Sequence, residues 1–210
     1  MGTGEQEIGG WLEALASDAA TPGGGAAAGV AAATGAALIA MVGRLTIGKA
    51  GFEDVEDRMR ALTERADAER EAFLELAERD AEAFRAVMGS FKLPKDTDEE
   101  RAARTLRIQE AYEGAAEVPL ELARRAVDLM ELAEDATAMG NAHAASDGYS
   151  GGALLFAAAL CAIANVRINA AGLKDEAKGQ TLVDAGEELR ERASTLLEQL
   201  QEAFLLRLVP

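Results

Sequence analysis

Residues 21–49, TPGGGAAAGVAAATGAALIAMVGRLTIGK, join three consecutive glycines to a long alanine-rich run and then to an Arg and a Lys. How this stretch is read decides the fold. Residues 25–42 are uncharged and long enough to cross a bilayer. They are mostly Ala and Gly, however, which gain little on leaving water, whereas spanning segments draw their insertion energy from Leu, Ile, Phe and Val. The segment before them is acidic and amphipathic, with Glu5, Glu7, Glu13 and Asp18, and so lacks the basic leader of a secretory signal. The reading that remains is a buried helix of a cytoplasmic protein with no membrane partner.

Composition agrees with a single helical domain over residues 1–210. The chain is 49% hydrophobic but only 4% aromatic, so its core must gain contacts from the close approach of small side chains. A formal charge of -16 opposes broad binding of nucleic acid or anionic lipid, and any anionic ligand must find a local positive pocket. Lysine occurs only at 49, 92, 95, 174 and 178, a pattern compatible with a salt-rich cytoplasm or with a genome rich in guanine and cytosine. The lone cysteine, Cys161 in LLFAAALCAIAN, reads as a small core residue.

Periodicity is helical nearly everywhere, and no strand-length alternation of β-branched residues stands out. An amphipathic helix is expected over residues 5–20, ended by Pro22 and the glycines, and a buried one over 25–44. Apolar residues from Val55 through Met59, Leu62, Phe73 and Leu76 to Val87 predict a long helix with one solvated face. Thr97 and Glu100 have the spacing of a capping box for the next helix, expected to run to Glu117. Pro119 suits the first turn of a separate helix that Gly140 can end. A second small-residue helix over 153–172 and a final amphipathic one over 178–208 complete an all-α bundle of about seven helices. The two Ala- and Gly-rich helices are apolar nearly all round, and one chain has too few amphipathic faces to cover both. A homodimer follows as the expectation.

Several clusters could carry chemistry. The glycines are not a phosphate loop, since no Lys and hydroxyl residue follow them and no strand precedes them. A glycine-lined helix start still presents amide donors and a positive dipole end to an anion or polar ring, and a tight interhelical turn is the plainer alternative. In RLTIGK, Arg44 and Lys49 either reach water or meet an anion. In GNAHAASDGYSGG, His143, Ser146 and Asp147 are too close in sequence to suggest a nucleophilic triad, and one histidine supports no transition-metal site. Ser146 and Asp147 are also ordinary helix N-cap types. Asn165 and Asn169 share one face of an apolar helix and need partners from another helix or a ligand. Asp80, taken by itself, reads as a surface carboxylate.

In order along the chain, TPGGGAAAG, RLTIGK, DAEAF, VPLELA, GNAHAASD and NVRINAAGLKD resemble the successive signatures of the formiminotetrahydrofolate cyclodeaminase and methenyltetrahydrofolate cyclohydrolase family, over about residues 12–175. The resemblance implies an all-helical homodimer that binds a reduced folate at or near the subunit interface, without metal and with no cofactor beyond the tetrahydrofolate derivative used as substrate. Ala26 departs from the pattern, because many relatives carry Ser after the three glycines.

By the same resemblance, Asp147 is the carboxylate beside the reacting cation, and Lys49 is a proton relay or electrostatic partner. Asp80 accepts hydrogen bonds from the pterin. The turn of Gly23, Gly24 and Gly25, with Ser146, lines the folate site. Asn141 and Asn169 orient the substrate, and Arg44 or Lys174 meets the glutamate tail. Two reactions share a tetrahedral centre on the bridging carbon: water opening 5,10-methenyltetrahydrofolate, and ring closure of the formimino compound with loss of ammonia. Because no formiminotransferase domain accompanies the chain, cyclohydrolase is the first expectation and cyclodeaminase the alternative. A non-catalytic folate-binding or structural dimer is the third reading.

Overall fold

The computed structural model describes residues 7–208, and among these every regular element is helical. Six α-helices follow in order: α1 Ile8–Leu15, α2 Gly24–Thr46, α3 Glu56–Ser90, α4 Asp98–Met139, α5 Ala145–Ala170 and α6 Glu176–Arg207. Single 3-10 turns at Glu53–Val55 and Ala142–Ala144 lead into α3 and α5. The expected first helix is shorter than its periodicity suggested, and its residues 5 and 6 lie outside the described region.

Small residues set the architecture. α2 packs against both α3 and α5. A Cβ on Gly29 would stand 2.7 Å from the Phe73 carbonyl oxygen, and one on Gly35 would stand 2.6 Å from that of Gly151. Backbone therefore lies against backbone at both contacts, at a separation that only glycine allows. Between these helices Ile39, Met59, Leu62, Phe73, Met130 and Leu155 are almost fully buried, and they form the floor of the core. α4 spans the other side, against α3, α5 and α6.

Two expectations about helix boundaries need correction. The count is six helices, because no break separates Glu117 from Pro119: α4 runs unbroken for 42 residues with Pro119 inside it. Tertiary contacts on both sides of the proline hold the helix together, and one of them replaces the hydrogen bond that proline cannot make. The second correction concerns SDGYSGG, expected as loop, which forms the first turns of α5. Its glycines are there for packing. Gly148 abuts Thr137, Gly151 lies against the Gly35 carbonyl, and Gly152 faces Leu200 and Ala133. Glycine chosen for close approach looks in sequence like glycine chosen for a turn.

The capping box forms as its spacing indicates. Thr97 Oγ1 accepts from the Glu100 amide at 3.2 Å, and Glu100 Oε2 accepts from the Thr97 amide at 3.1 Å. Gly140 ends α4 in an extended conformation, and there glycine answers to space, since a Cβ would crowd Ala136 and Val42. The long charged helices are laced by ion pairs. Glu69, 3% exposed, is held by Arg65 and Arg125, and Arg192 of α6 bridges to Asp128 and Glu131 of α4.

Cys161 is exposed, against the expectation of a core position. It lies on an outward face of α5 with Ala157, Leu160, Ala164 and Ile168, beside the outward face of α2 that carries Thr34, Met41 and Leu45. These apolar faces have no partner among the described residues. α2 and the segment Ala142–Ala170 are long and apolar enough to span a membrane, but 61% and 44% of their apolar windows are buried inside the bundle.

Candidate functional site

The glycine turn ends with Gly23 as the extended N-cap residue of α2. A Cβ on Gly25 would overlap the carboxylate of Asp80, which approaches from α3 and accepts a hydrogen bond from the Ala26 amide. The anion at this helix start is thus the protein's own carboxylate, placed where the amide donors and helix dipole favour it. Glycine at position 25 is what admits it. Burial pushes the Asp80 pKa above the ordinary carboxylate value, and the Ala26 amide offsets part of the rise.

Asp80 stands at one wall of a cleft of about 280 Å³ between α3, α4 and α5, lined also by Phe84, Met88, Phe91, Tyr112, Ala115, Asn165, Ile168 and Asn169. Phe91 and Tyr112 meet edge to face with centroids 6.2 Å apart, and the Arg104 guanidinium lies 5.7 Å from the Phe91 ring centre. Asn165 Nδ2 donates to the Cys161 carbonyl at 2.8 Å and lies close to Gly24, while Asn169 Nδ2 donates to the Ala115 carbonyl at 2.6 Å. A flat, largely apolar cleft with a carboxylate and an amide at one end suits a planar heterocycle that carries ring N–H and amino donors. Lys174 is exposed in the loop before α6, and its backbone amide is fixed by Gln109 Oε1 at 2.5 Å.

A second group of candidates gathers at the other end of α2. Asn141 closes the end of that helix. Its amide N–H donates to Thr46 Oγ1 at 2.8 Å, its Nδ2 donates to the Leu45 carbonyl at 3.1 Å, and its Oδ1 accepts from the His143 amide. Arg44 is exposed and paired with Asp67 of α3. Lys49 is exposed in the turn that begins at Gly48, whose φ of 71° is a conformation that favours glycine. Ser146 is exposed and Asp147 partly so, both in the first turn of α5. The N-cap of α5 is Ala144, so neither residue serves as the cap its type suggested.

The structure therefore brings Gly23, Gly24, Gly25, Asp80 and Asn169 together at one end of α2. It places Arg44, Lys49 and Asn141 at the other, with Ser146 and Asp147 on the first turn of α5 toward that same end. The helical rise from Gly25 sets Asn141, at Leu45, about 30 Å away, and Asp147, one turn before the Gly151 that packs on Gly35 and Ile39, about 20 Å away. Sequence reasoning did not pick out Tyr112, Phe84, Met88 and Phe91 as lining residues, because aromatics on amphipathic helices look like ordinary core. Asn165 gave a signal, an amide four residues before Asn169 on an apolar helix. Among the described residues no group of three or more His, Cys, Asp or Glu side chains is placed to hold a metal ion.

An all-α bundle with a carboxylate seated on a glycine helix start and an amide-lined cleft beside it defines the class. The family model described as formiminotransferase-cyclodeaminase matches residues 7–203, and the chain belongs to this family. It is 41% identical over 201 residues to a methenyltetrahydrofolate cyclohydrolase of Methylorubrum extorquens, covering 95% of this chain and 96% of that one. It is 36% identical over 180 residues to the formimidoyltransferase-cyclodeaminase of Rattus norvegicus, covering 86% of this chain but only 32% of that longer protein. Among solved structures, the formiminotetrahydrofolate cyclodeaminase of Thermotoga maritima superposes with a TM-score of 0.86 at 29% identity, covering 96% of this chain and 97% of that one.

Proposed function

We propose that this chain is a cytoplasmic methenyltetrahydrofolate cyclohydrolase, adding water to the bridging carbon of 5,10-methenyltetrahydrofolate and opening the ring to 10-formyltetrahydrofolate. The observation that carries the proposal is the 41% identity, along nearly the whole of both chains, to the Methylorubrum extorquens cyclohydrolase. In this reading the pterin enters the aromatic cleft, and Asp80 accepts from its ring and amino N–H groups. Asn165 adds a polar contact near the glycine turn. Asp147 stands beside the bridging carbon, where it takes a proton from the attacking water and stabilises the cationic substrate. Lys49 is its electrostatic partner, and Arg44 or Lys174 meets the glutamate tail. The step needs no metal and no redox cofactor.

Asp80 and Asp147 cannot flank one reacting centre within a chain that holds them about 20 Å apart along the bundle. A homodimer resolves this. The outward faces of α2 and α5 are apolar, in a chain whose net charge is -16, and α5 carries no charged residue between Asp147 and Arg167. A two-fold axis through the middle of these faces runs α2 of one protomer antiparallel to α2 of its partner, so that the Asp147 end of one meets the Asp80 end of the other. Packing of this kind also supplies the water exclusion that Lys49 lacks in a single chain.

The cyclodeaminase reading rests on the Thermotoga maritima structure. The test is to give the pure protein 5,10-methenyl- and 5-formimino-tetrahydrofolate separately. Fast loss of methenyl absorbance without ammonia release from the formimino compound is expected. Ammonia release with a rise in methenyl absorbance would assign the deaminase reaction instead, and no turnover of either compound would leave a non-catalytic dimer.

A further inference from the structure

Pro119 has no N–H, and its ring crowds the carbonyl four residues back, so the Ala115 carbonyl loses its partner within α4. Ala115 is 4% exposed, and a buried carbonyl left without a donor is destabilising. The donor comes from another helix, since Asn169 Nδ2 of α5 reaches the Ala115 oxygen at 2.6 Å. The same stretch of α4 is bound to the end of α5 at further points. Gln109 Nε2 donates to the Gly172 carbonyl at 3.1 Å, and Gln109 Oε1 accepts from the Lys174 amide. The Tyr112 ring also fills the space that a Cβ on Gly172 would need. Tyr112 and Ala115 form a wall of the cleft that holds Asp80.

We propose that Asn169 is a positioning residue: it supplies the hydrogen bond that Pro119 withholds from Ala115, and so holds the Tyr112–Ala115 wall of the cleft in place. Its amide nitrogen is committed to α4, as that of Asn165 is to the Cys161 carbonyl of its own helix. Pro119 and Asn169 form one device, in which the proline leaves a carbonyl without its helical donor and the asparagine ties that carbonyl to α5. The effect on substrate rests on the folate reading of the cleft. The hydrogen bond itself does not.

The test is a double-mutant cycle of Asn169→Ala and Pro119→Ala, because alanine at 119 restores an N–H that can reach Ala115. Asn169→Ala alone should lower the melting temperature by roughly 3 to 6 °C, the scale of an orphaned buried acceptor in a chain of this size. It should also raise KM for methenyltetrahydrofolate about three- to tenfold with kcat little changed, the scale of one lost hydrogen bond. In the Pro119→Ala background both effects should shrink to a small fraction. Equal effects in the two backgrounds would overturn the proposal and assign Asn169 to direct substrate contact if only KM moved. If the wild-type protein turned over no folate, the melting cycle alone would decide the proposal. Coupled melting shifts would uphold the device while the folate reading failed, and additive shifts would sink it.

Discussion

At the N-terminal end of α2, Asp80 accepts from the Ala26 amide and is shielded beside a cleft walled by aromatic rings. Toward the C-terminal end, the side chain of Asp147 has no hydrogen-bond or ion-pair partner among the described residues, and Lys49 stands in solvent. The first end is built within its own chain, with Asp80 held by the Ala26 amide of α2 and Asn169 by the Ala115 carbonyl of α4. The second end holds unpaired polar groups at the edge of an uncovered apolar face. Such an arrangement is poor as a surface and well suited to being met by another molecule. The contrast teaches that one chain can close a cleft by itself at one end of a helix and leave the other end open, the end that the proposed dimer would complete.

The sharpest way to break this comparison is at Asp147. Asp147→Asn keeps the size and removes the charge and proton transfer, so turnover should fall by about 100-fold or more with little change in melting. Because Ala144, not Asp147, is the N-cap of α5, Asp147→Ala should also melt near the wild-type temperature. A fully active Asn variant would move the reacting role to Asp80 or Lys49.

The next effect concerns association. Ala157→Glu puts a charge in the middle of the uncovered α5 face, where an interface would have to bury it unpaired. Sedimentation should show dimer dissociation strengthened by about 100-fold or more, while helicity is kept. An unchanged oligomeric state would show that these faces are not the interface. Gly29→Leu acts on the finished side. It overpacks the contact with Phe73 and Ala77 inside one chain, so it should lower stability by about 1 to 3 kcal/mol whatever the protein concentration. A loss that grew on dilution would place Gly29 between subunits instead.

A smaller effect is expected at Asp80. Burial raises its pKa in the folded chain, so the folded state binds this proton more tightly than the unfolded state. Its ionisation therefore erodes stability as pH rises from the ordinary carboxylate range through the raised value. Asp80→Asn removes that penalty. Denaturant midpoints should show the variant gaining on wild type at neutral pH, with the gain gone in acid below the ordinary carboxylate range. A gain that persisted in acid would exclude ionisation as its cause. The smallest expected effect is that of chelation: turnover after extensive EDTA dialysis should match the untreated enzyme, and a loss reversed by one divalent ion would overturn the metal-free proposal.

Helices with a strong local signature were legible residue by residue. The capping box at Thr97 and Glu100 and the solvated face of α3 depend on neighbours three or four positions apart, so sequence spacing alone specifies them. The site was legible as motifs but not as a place. Asp80 looked like a surface carboxylate because nothing near it in sequence reveals the glycine helix start about 55 residues earlier, or the burial that follows from meeting it.

What the sequence determined by itself was the helical class, the small-residue character of α2 and α5, and the family resemblance, since all three rest on residue type and local spacing. Tertiary structure alone decided the rest. It carried α4 through Pro119, because a side chain on α5 supplies the missing donor. It made helix of SDGYSGG, because close packing uses glycine for its lack of a Cβ and not for a turn. It also sent the candidate residues to two ends of one helix, since their distance in space depends on which helices pack together and in which direction, and no local interaction encodes that.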